Sequence, residues 1–275
     1  MRDEELRNSH DYNEGQVEAA HRILIELVNL FDDYRDDIRI VGGWVPDLMF
    51  PDEGHIGSVD VDVLINHMNL KDAGYQTMSR ILLKHGYTEH PNKFFTYIKQ
   101  VTVNGIQYDV DVDILAGKYG GTSYDKRGQH IQGIKALKAT GGNYAFEFEP
   151  QLIDVQAPRP DGAIDSARVN VVAVVPYIIM KTAALGRGKP KDAYDIYFLL
   201  KHYENGVNEL AKIFRDCGDV KLIQEMKEKL SLKFGSPNHS GPVDVAAFMD
   251  LDDNDEIEFV KRDAYEQVQL LIGNI

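Results

Sequence analysis

The chain has 275 residues, 43% of them hydrophobic, enough for one large domain or two modest ones with a sizeable core. Its single cysteine, Cys217, excludes an intrachain disulfide and argues against thiolate zinc sites. A net charge of −14 argues against broad, nonspecific nucleic-acid binding, which rests on a basic footprint, while leaving room for a local basic patch.

The first element is predicted over residues 14–35. There Val17, Ala20, Ile23, Leu24, Leu27, Val28 and Phe31 recur at the spacing of an amphipathic helix. Ile38–Val41 is a short β-like run that ends in Gly42-Gly43, and a short helix is expected over 44–50. Pro51–Gly57 has loop composition. Val59–Ile65 alternates strictly and predicts a strand, and Leu70–His85 predicts a helix. Phe94–Val103 and Ile106–Leu115 flank Asn104-Gly105, the strongest short signal for a hairpin. Residues 117–143, rich in Gly, Lys and Tyr, predict a mobile connection, and 144–156 and 167–173 predict further strands.

From Val174 the period becomes helical, with an acidic loop expected near 234–255. The fold class expected is therefore α+β: a mixed sheet with helices over residues 1–173, then a helical domain over 174–275. No apolar run approaches the roughly 20 residues of a membrane span, and the charged N-terminus lacks a signal-peptide core. A soluble cytoplasmic protein with no membrane partner is expected.

Two acidic segments point to chemistry. In Ser58-Val59-Asp60-Val61-Asp62-Val63, residues two apart share a strand face, so Asp60 and Asp62 project together and the valines oppose them. Neighbouring carboxylates repel unless a cation or proton lies between them. The second segment, Tyr108–Leu115, puts Asp109, Asp111 and Asp113 on one face by the same alternation. One such strand alone reads as a solvated acidic face. Two of them, the first after a Gly-Gly turn, favour a site for Mg²⁺ or Mn²⁺, which take oxygen ligands. Gly42-Gly43 permits close backbone approach, and a helix N-terminus after it offers N–H groups to phosphate.

Gly42-Gly43, Ser58-x-Asp60-x-Asp62 and an aspartate on a later strand resemble the polymerase-beta-type nucleotidyltransferase superfamily. Lys181-Thr182-Ala183-Ala184 and the run Arg187 to Leu200, with Asp195-Ile196-Tyr197-Phe198-Leu199-Leu200, narrow the resemblance to the AbiEii/AbiGii toxin family. That family has a Gly-Gly turn, a D-x-D strand, a K-x-x-A helix and a D-x-x-x-L-L helix; the likeness spans residues 38 to 200. The resemblance implies a nucleotidyltransferase-like sheet and metal held by Asp60, Asp62 and one later aspartate. Asp113 is preferred, since Asp-Ile-Leu resembles the family's acid, and Asp111 is second.

The resemblance also implies a triphosphate bordered by Gly42, Gly43 and Ser58. Lys181 would touch phosphate, and Asp195 would act as a base or orient Lys181. It implies a nucleoside triphosphate substrate, an acceptor such as tRNA or protein, and a toxin with a cognate antitoxin in a toxin–antitoxin or phage-defence system. The chain departs from the pattern: His55-Ile56-Gly57 stands where a basic residue is often seen, the third carboxylate is ambiguous among Asp109, Asp111 and Asp113, and a net charge of −14 is awkward for a tRNA substrate; residues 205–275 match nothing in it.

Other residues have plainer readings. Lys181 in an apolar helix can snorkel, and Asp192 suits a helix N-terminus. Arg187, Lys189 and Lys191 read as a solvated basic cluster, with triphosphate or RNA contact as the alternative. Trp44 reads as packing, and the acidic run Asp250–Glu258 as solvated loop. The alternative to an enzyme is a catalytically silent nucleotide- or partner-binding protein on the same fold.

Overall fold

The computed structural model describes residues 6–69, 72–117, 128–131, 134–218 and 220–275, and is a mixed α+β structure. Its elements are α1 (Glu14–Leu30), β1 (Ile38–Val41), α2 (Val45–Met49), β2 (Val61–Ile65), α3 (Asp72–Lys84), β3 (Thr88–Glu89), β4 (Thr96–Val103), β5 (Ile106–Gly117), β6 (Gly128–Ile131), β7 (Ile134–Ala139), β8 (Gln151–Pro158) and β9 (Ile164–Val171). The helices α4 (Val174–Ala184), α5 (Lys191–His202), α6 (Gly206–Asp216), α7 (Lys221–Lys233), α8 (Ser240–Met249) and α9 (Asn254–Asn274) follow. None of the described helices is long and apolar enough to cross a membrane.

The chain divides into two units, and the division is not a single cut. Residues Asn13–Met49 and Gly57–Tyr177 form the sheet unit; the residues through Tyr12, Phe50–Ile56 and Ile178–Ile275 form the helical unit. The boundary expected at residue 174 thus falls inside α4, between Tyr177 and Ile178, and a strap from the N-terminal half groups with the helices.

In the sheet unit the strand order is β3-β4-β5-β2-β1-β9-β8, with β6 and β7 continuing beyond the end of β4 along β5. Pairing of β1 with β2 is antiparallel, and β2 with β5 is parallel. All four residues of β1 are buried, as suits a central strand. Asn104 and Gly105, both at positive φ, close the β4–β5 hairpin as the dipeptide requires.

Asn13 caps α1 by accepting from the Gly15 and Gln16 N–H groups, and α1 packs against β4, β5, β8 and β9. Its Ala19, Ala20, Ile23, Leu24 and Leu27 are buried, and so are Val61, Val63, Val110, Val112 and Ile114 of the sheet. Among the polar tethers from α1 to the sheet, Lys99 on β4 lies 2.6 Å from the Glu26 carboxylate, which also accepts from Tyr87 at 2.7 Å.

In the helical unit α9 packs against α5, α6, α7 and α8. The loop expected over 234–255 is mostly helix. Pro242 sits in the first turn of α8, where its missing N–H costs nothing, and Asp250 ends the helix in the left-handed region. The acidic run Asp250–Glu258 is likewise half helix, because Asp253 caps α9 and its acids sit where the helix dipole favours them. Of the mobile connection expected over 117–143, residues 118–127 and 132–133 lie outside the described residues, while 128–131 and 134–139 are strands. Tyr144–Glu147, expected as strand, is a 3₁₀ turn.

The tether yields a test. Glu26→Ala leaves the Lys99 ammonium and the Tyr87 hydroxyl mostly buried without their acceptor. The expected loss is about 2–3 kcal/mol in urea unfolding, with partial recovery in Glu26→Gln.

Candidate active site

The sheet unit gathers six of the residues singled out in the sequence. Gly42 and Gly43 follow β1, Ser58 and Asp60 precede β2, Asp62 lies on β2, and Asp113 lies on β5. The parallel register pairs Asp62 directly with Asp113. Of the three aspartates on β5, it is therefore Asp113 that neighbours Asp62. Asp111 instead lies 3.0 Å from the Lys93 ammonium, and Asp109 is exposed across from Gln100.

Strand β2 starts at Val61, so Asp60 stands in a bend just before it rather than within the strand expected from Val59. The bend is held at both ends. The Ser58 hydroxyl donates to Asp60 Oδ1 at 2.5 Å, and the Trp44 indole N–H donates to the Asp60 carbonyl at 2.8 Å. Trp44 is buried and stacks on His21, so it packs and also fixes the backbone at Asp60.

Gly42 is required where it stands. Its φ is +74°, and an added Cβ would lie 1.8 Å from Asp62 Oδ2. The backbone turn after β1 therefore approaches the Asp62 carboxylate more closely than any side-chain-bearing residue would permit.

Asp113 feels its surroundings. Burial pushes its carboxyl up to about 6, the Thr96 hydroxyl bond at 2.5 Å opposes that rise, and the charges of Asp60 and Asp111 add to it. A divalent cation would relieve that repulsion, and oxygen donors are the ligands Mg²⁺ and Mn²⁺ take. Among the described residues, no three His, Cys, Asp or Glu side chains converge as a ready-made metal site. Asp60 and Asp113 are turned onto Ser58 and Thr96 instead. The donors are of the oxygen type such a cation takes, and the register sets Asp62 beside Asp113.

The helical unit holds the other two, Lys181 on α4 and Asp195 on α5. Asp195 is fully buried. Lys181 Nζ lies 2.6 Å from its Oδ2, and Lys191 Nζ and His55 Nε2 lie 2.8 and 3.0 Å from its Oδ1. Burial alone would push the Asp195 carboxyl up. The ammonium groups of Lys181 and Lys191 and the bond from His55 outweigh burial and hold it well below the usual carboxylate range.

An ionised acceptor fixes the His55 tautomer, with the proton on Nε2. Burial first, then the charge of Lys191, lowers the His55 imidazole to about 4. Its ring stacks on Tyr194 and meets the edge of Phe198.

The readings of Lys191 and His55 change here, and that of Asp192 gains a partner. Lys191, read as part of a solvated cluster, is buried in this network. Asp192 stands in the first turn of α5 as read, but it is buried and accepts from Lys181 at 2.9 Å. His55, read only as a departure from a family pattern, is a partner of Asp195. The i,i+4 spacing of Lys191 and Asp195 carried that signal; nothing in the sequence marked His55.

Two measurements follow. Folding takes up a proton at Asp113 between pH 4 and 6, so its charge at pH 7.5 costs stability that is not lost at pH 4. Asp113→Asn is expected to gain about 1–2 kcal/mol in metal-free urea unfolding at pH 7.5 and nothing at pH 4.

His55 has the opposite sense. Its folded form stays neutral down to about 4, while an unfolded imidazole protonates below about 6.5. Stability is therefore full above pH 6.5 and falls by up to about 3 kcal/mol between pH 6.5 and 4. His55→Asn is expected to flatten that slope, whatever it costs in packing.

Comparison with protein-family models, curated proteins and solved structures gives no match to this chain.

Proposed function

We propose that the protein is a metal-dependent nucleotidyltransferase, carrying a nucleotide from a nucleoside triphosphate to an acceptor hydroxyl. The observation that carries this reading is the register of Asp62 beside Asp113, with Asp60 near enough to raise the Asp113 carboxyl and Gly42 pressed against Asp62. Asp60, Asp62 and Asp113 would hold Mg²⁺ or Mn²⁺. Bound there, the cations would lower the pKa of the acceptor hydroxyl and neutralise the leaving pyrophosphate.

The remaining roles belong to the chain. The turn at Gly42 and Gly43 lets a triphosphate approach the backbone, and Ser58 supplies a hydroxyl beside Asp60. The acceptor hydroxyl gives its proton to solvent, and its oxygen bonds to the α-phosphorus as the bond to pyrophosphate breaks. Asp195, strongly acidic and enclosed, serves as the fixed anion that holds Lys181 and not as a base. In the helical unit Lys181 presents a cation oriented by Asp192 and Asp195.

The likeness to AbiEii/AbiGii toxins extends the proposal to a cytoplasmic toxin acting on tRNA or a protein, with a cognate antitoxin as partner. One observation favours a second reading, a silent nucleotide- or partner-binding protein: the carboxylates of Asp60 and Asp113 are each engaged by a hydroxyl.

The test supplies Mg²⁺ and each α-labelled nucleoside triphosphate in turn, with cellular RNA and protein extract as acceptors. Label on one acceptor class, lost in the Asp60→Ala, Asp62→Ala variant, is expected. In EDTA-treated protein, added Mg²⁺ is expected to raise the melting temperature of the wild type and not of that variant. Full transfer by the variant would sink the proposal. Nucleotide binding with no labelled product would favour the second reading.

A further inference from the structure

Acidic residues outnumber basic ones by 44 to 30 in this chain, yet one surface of the helical unit collects cations. The turn between α4 and α5 runs Gly186-Arg187-Gly188-Lys189, with both glycines at positive φ and every residue exposed. Lys229 and Lys233, one turn apart on α7, both reach it. Lys229 Nζ donates to the Ala183 carbonyl at 2.9 Å. A methyl group placed on Gly186 would lie 3.3 Å from Lys233 Nζ, so bare glycine leaves that ammonium its room.

The neighbouring acids act on the group only at a distance. Asp192 is engaged by Lys181 at 2.9 Å. Glu225, one turn before Lys229, pairs with Lys221 instead. Asp244 on α8 feels the charge of Lys233 without forming an ion pair with it. Among the described residues, Arg187, Lys229 and Lys233 form no ion pair with a carboxylate. Burial first, then the charges of Arg187 and Lys233, lower the Lys229 ammonium from its ordinary value, and Asp192 opposes them. Like charges gathered this way, in a protein with abundant acid to spare, are arranged for an anion that the chain does not supply.

We infer that Arg187, Lys229 and Lys233 form a binding site for a phosphate group, belonging either to a free polyphosphate or to a nucleic-acid backbone. A guanidinium offers paired donors to phosphate oxygens, and two ammonium groups one helical turn apart supply point charges beside it. The site lies wholly within the helical unit.

The test uses the full chain in EDTA without nucleoside triphosphate, so failure of the transfer reading cannot affect it. Pyrophosphate is titrated by calorimetry, and a short labelled single-stranded RNA by anisotropy across a salt series. Wild type is compared with Lys229→Gln, Lys233→Gln and with a control of equal charge change, Lys212→Gln, Lys261→Gln. Arg187→Gln, in an exposed turn with no packing role, guards against a folding defect in the α7 pair.

Binding of either ligand is expected to weaken about tenfold in the α7 pair and in Arg187→Gln, but not in the control. The salt slope for RNA should fall by about 1.4 with both lysines removed. Loss confined to pyrophosphate assigns the site to a free phosphate ligand, and loss confined to RNA assigns it to a backbone. Absence of binding to both ligands in the wild type, or equal binding by the α7 pair, Arg187→Gln and the control, would overturn the inference.

Discussion

Parallel strands stand about 4.8 Å apart, and side chains in register cannot avoid one another at that spacing. The pairing of β2 with β5 is such a contact: it sets Asp62 against Asp113, and their apolar neighbours Val61, Val63, Val112 and Ile114 against the core. Slipping the register by one residue would bury carboxylates and expose valines, so the apolar face enforces the acidic one. β5 carries its other partners along, with β4 at one end and β7 at the other, while β2 brings in β1 and the Gly42 turn. The close approach of Asp62 to Asp113 is thus built into the same pairing that holds the sheet together.

Within the helical unit the corresponding constraint is one fully buried carboxylate. An ionised group inside a protein has to be matched by charge and hydrogen bonds. Asp195 is matched three times, by Lys181, Lys191 and a neutral His55. Two cations on one anion leave an excess that Asp192 corrects through Lys181. The four charges sum to zero, which is why Lys191 and Asp192 can be buried on the first turn of α5 where solvated charges would be the ordinary expectation.

The strands that carry the acids were legible because alternation is a local signal, and Asn104-Gly105 fixed the hairpin by backbone chemistry alone. That Asp113 neighbours Asp62 was suggested only by its following residues; the physical reason is the β2–β5 register, which is nonlocal and has no trace in one strand's sequence. The loop reading of 234–255 failed at Ser240-Gly241-Pro242, whose residues signal a turn but are tolerated in a helix's first turn. Gly241 is there because the Phe234 ring leaves no room for a Cβ, a tertiary reason invisible locally. His55 was silent for the same cause, since its partner lies 140 residues away.

Where local choices agree with the fold, a residue needs no further explanation; where they oppose it, something else holds it there. Asp113 would be more comfortable as an amide, Gly42 gives up chain entropy on folding that a side chain would spare, and the bend at Asp60 needs both a serine and an indole to hold it. These three costs fall within one cluster of the sheet, while the valines around them obey every packing rule. A solvated acidic face would need none of them, because exposed carboxylates repel weakly and tolerate a side chain at the neighbouring turn. Concentrated local cost on an otherwise consistent sheet is the pattern expected of a functional site rather than of a solvated face.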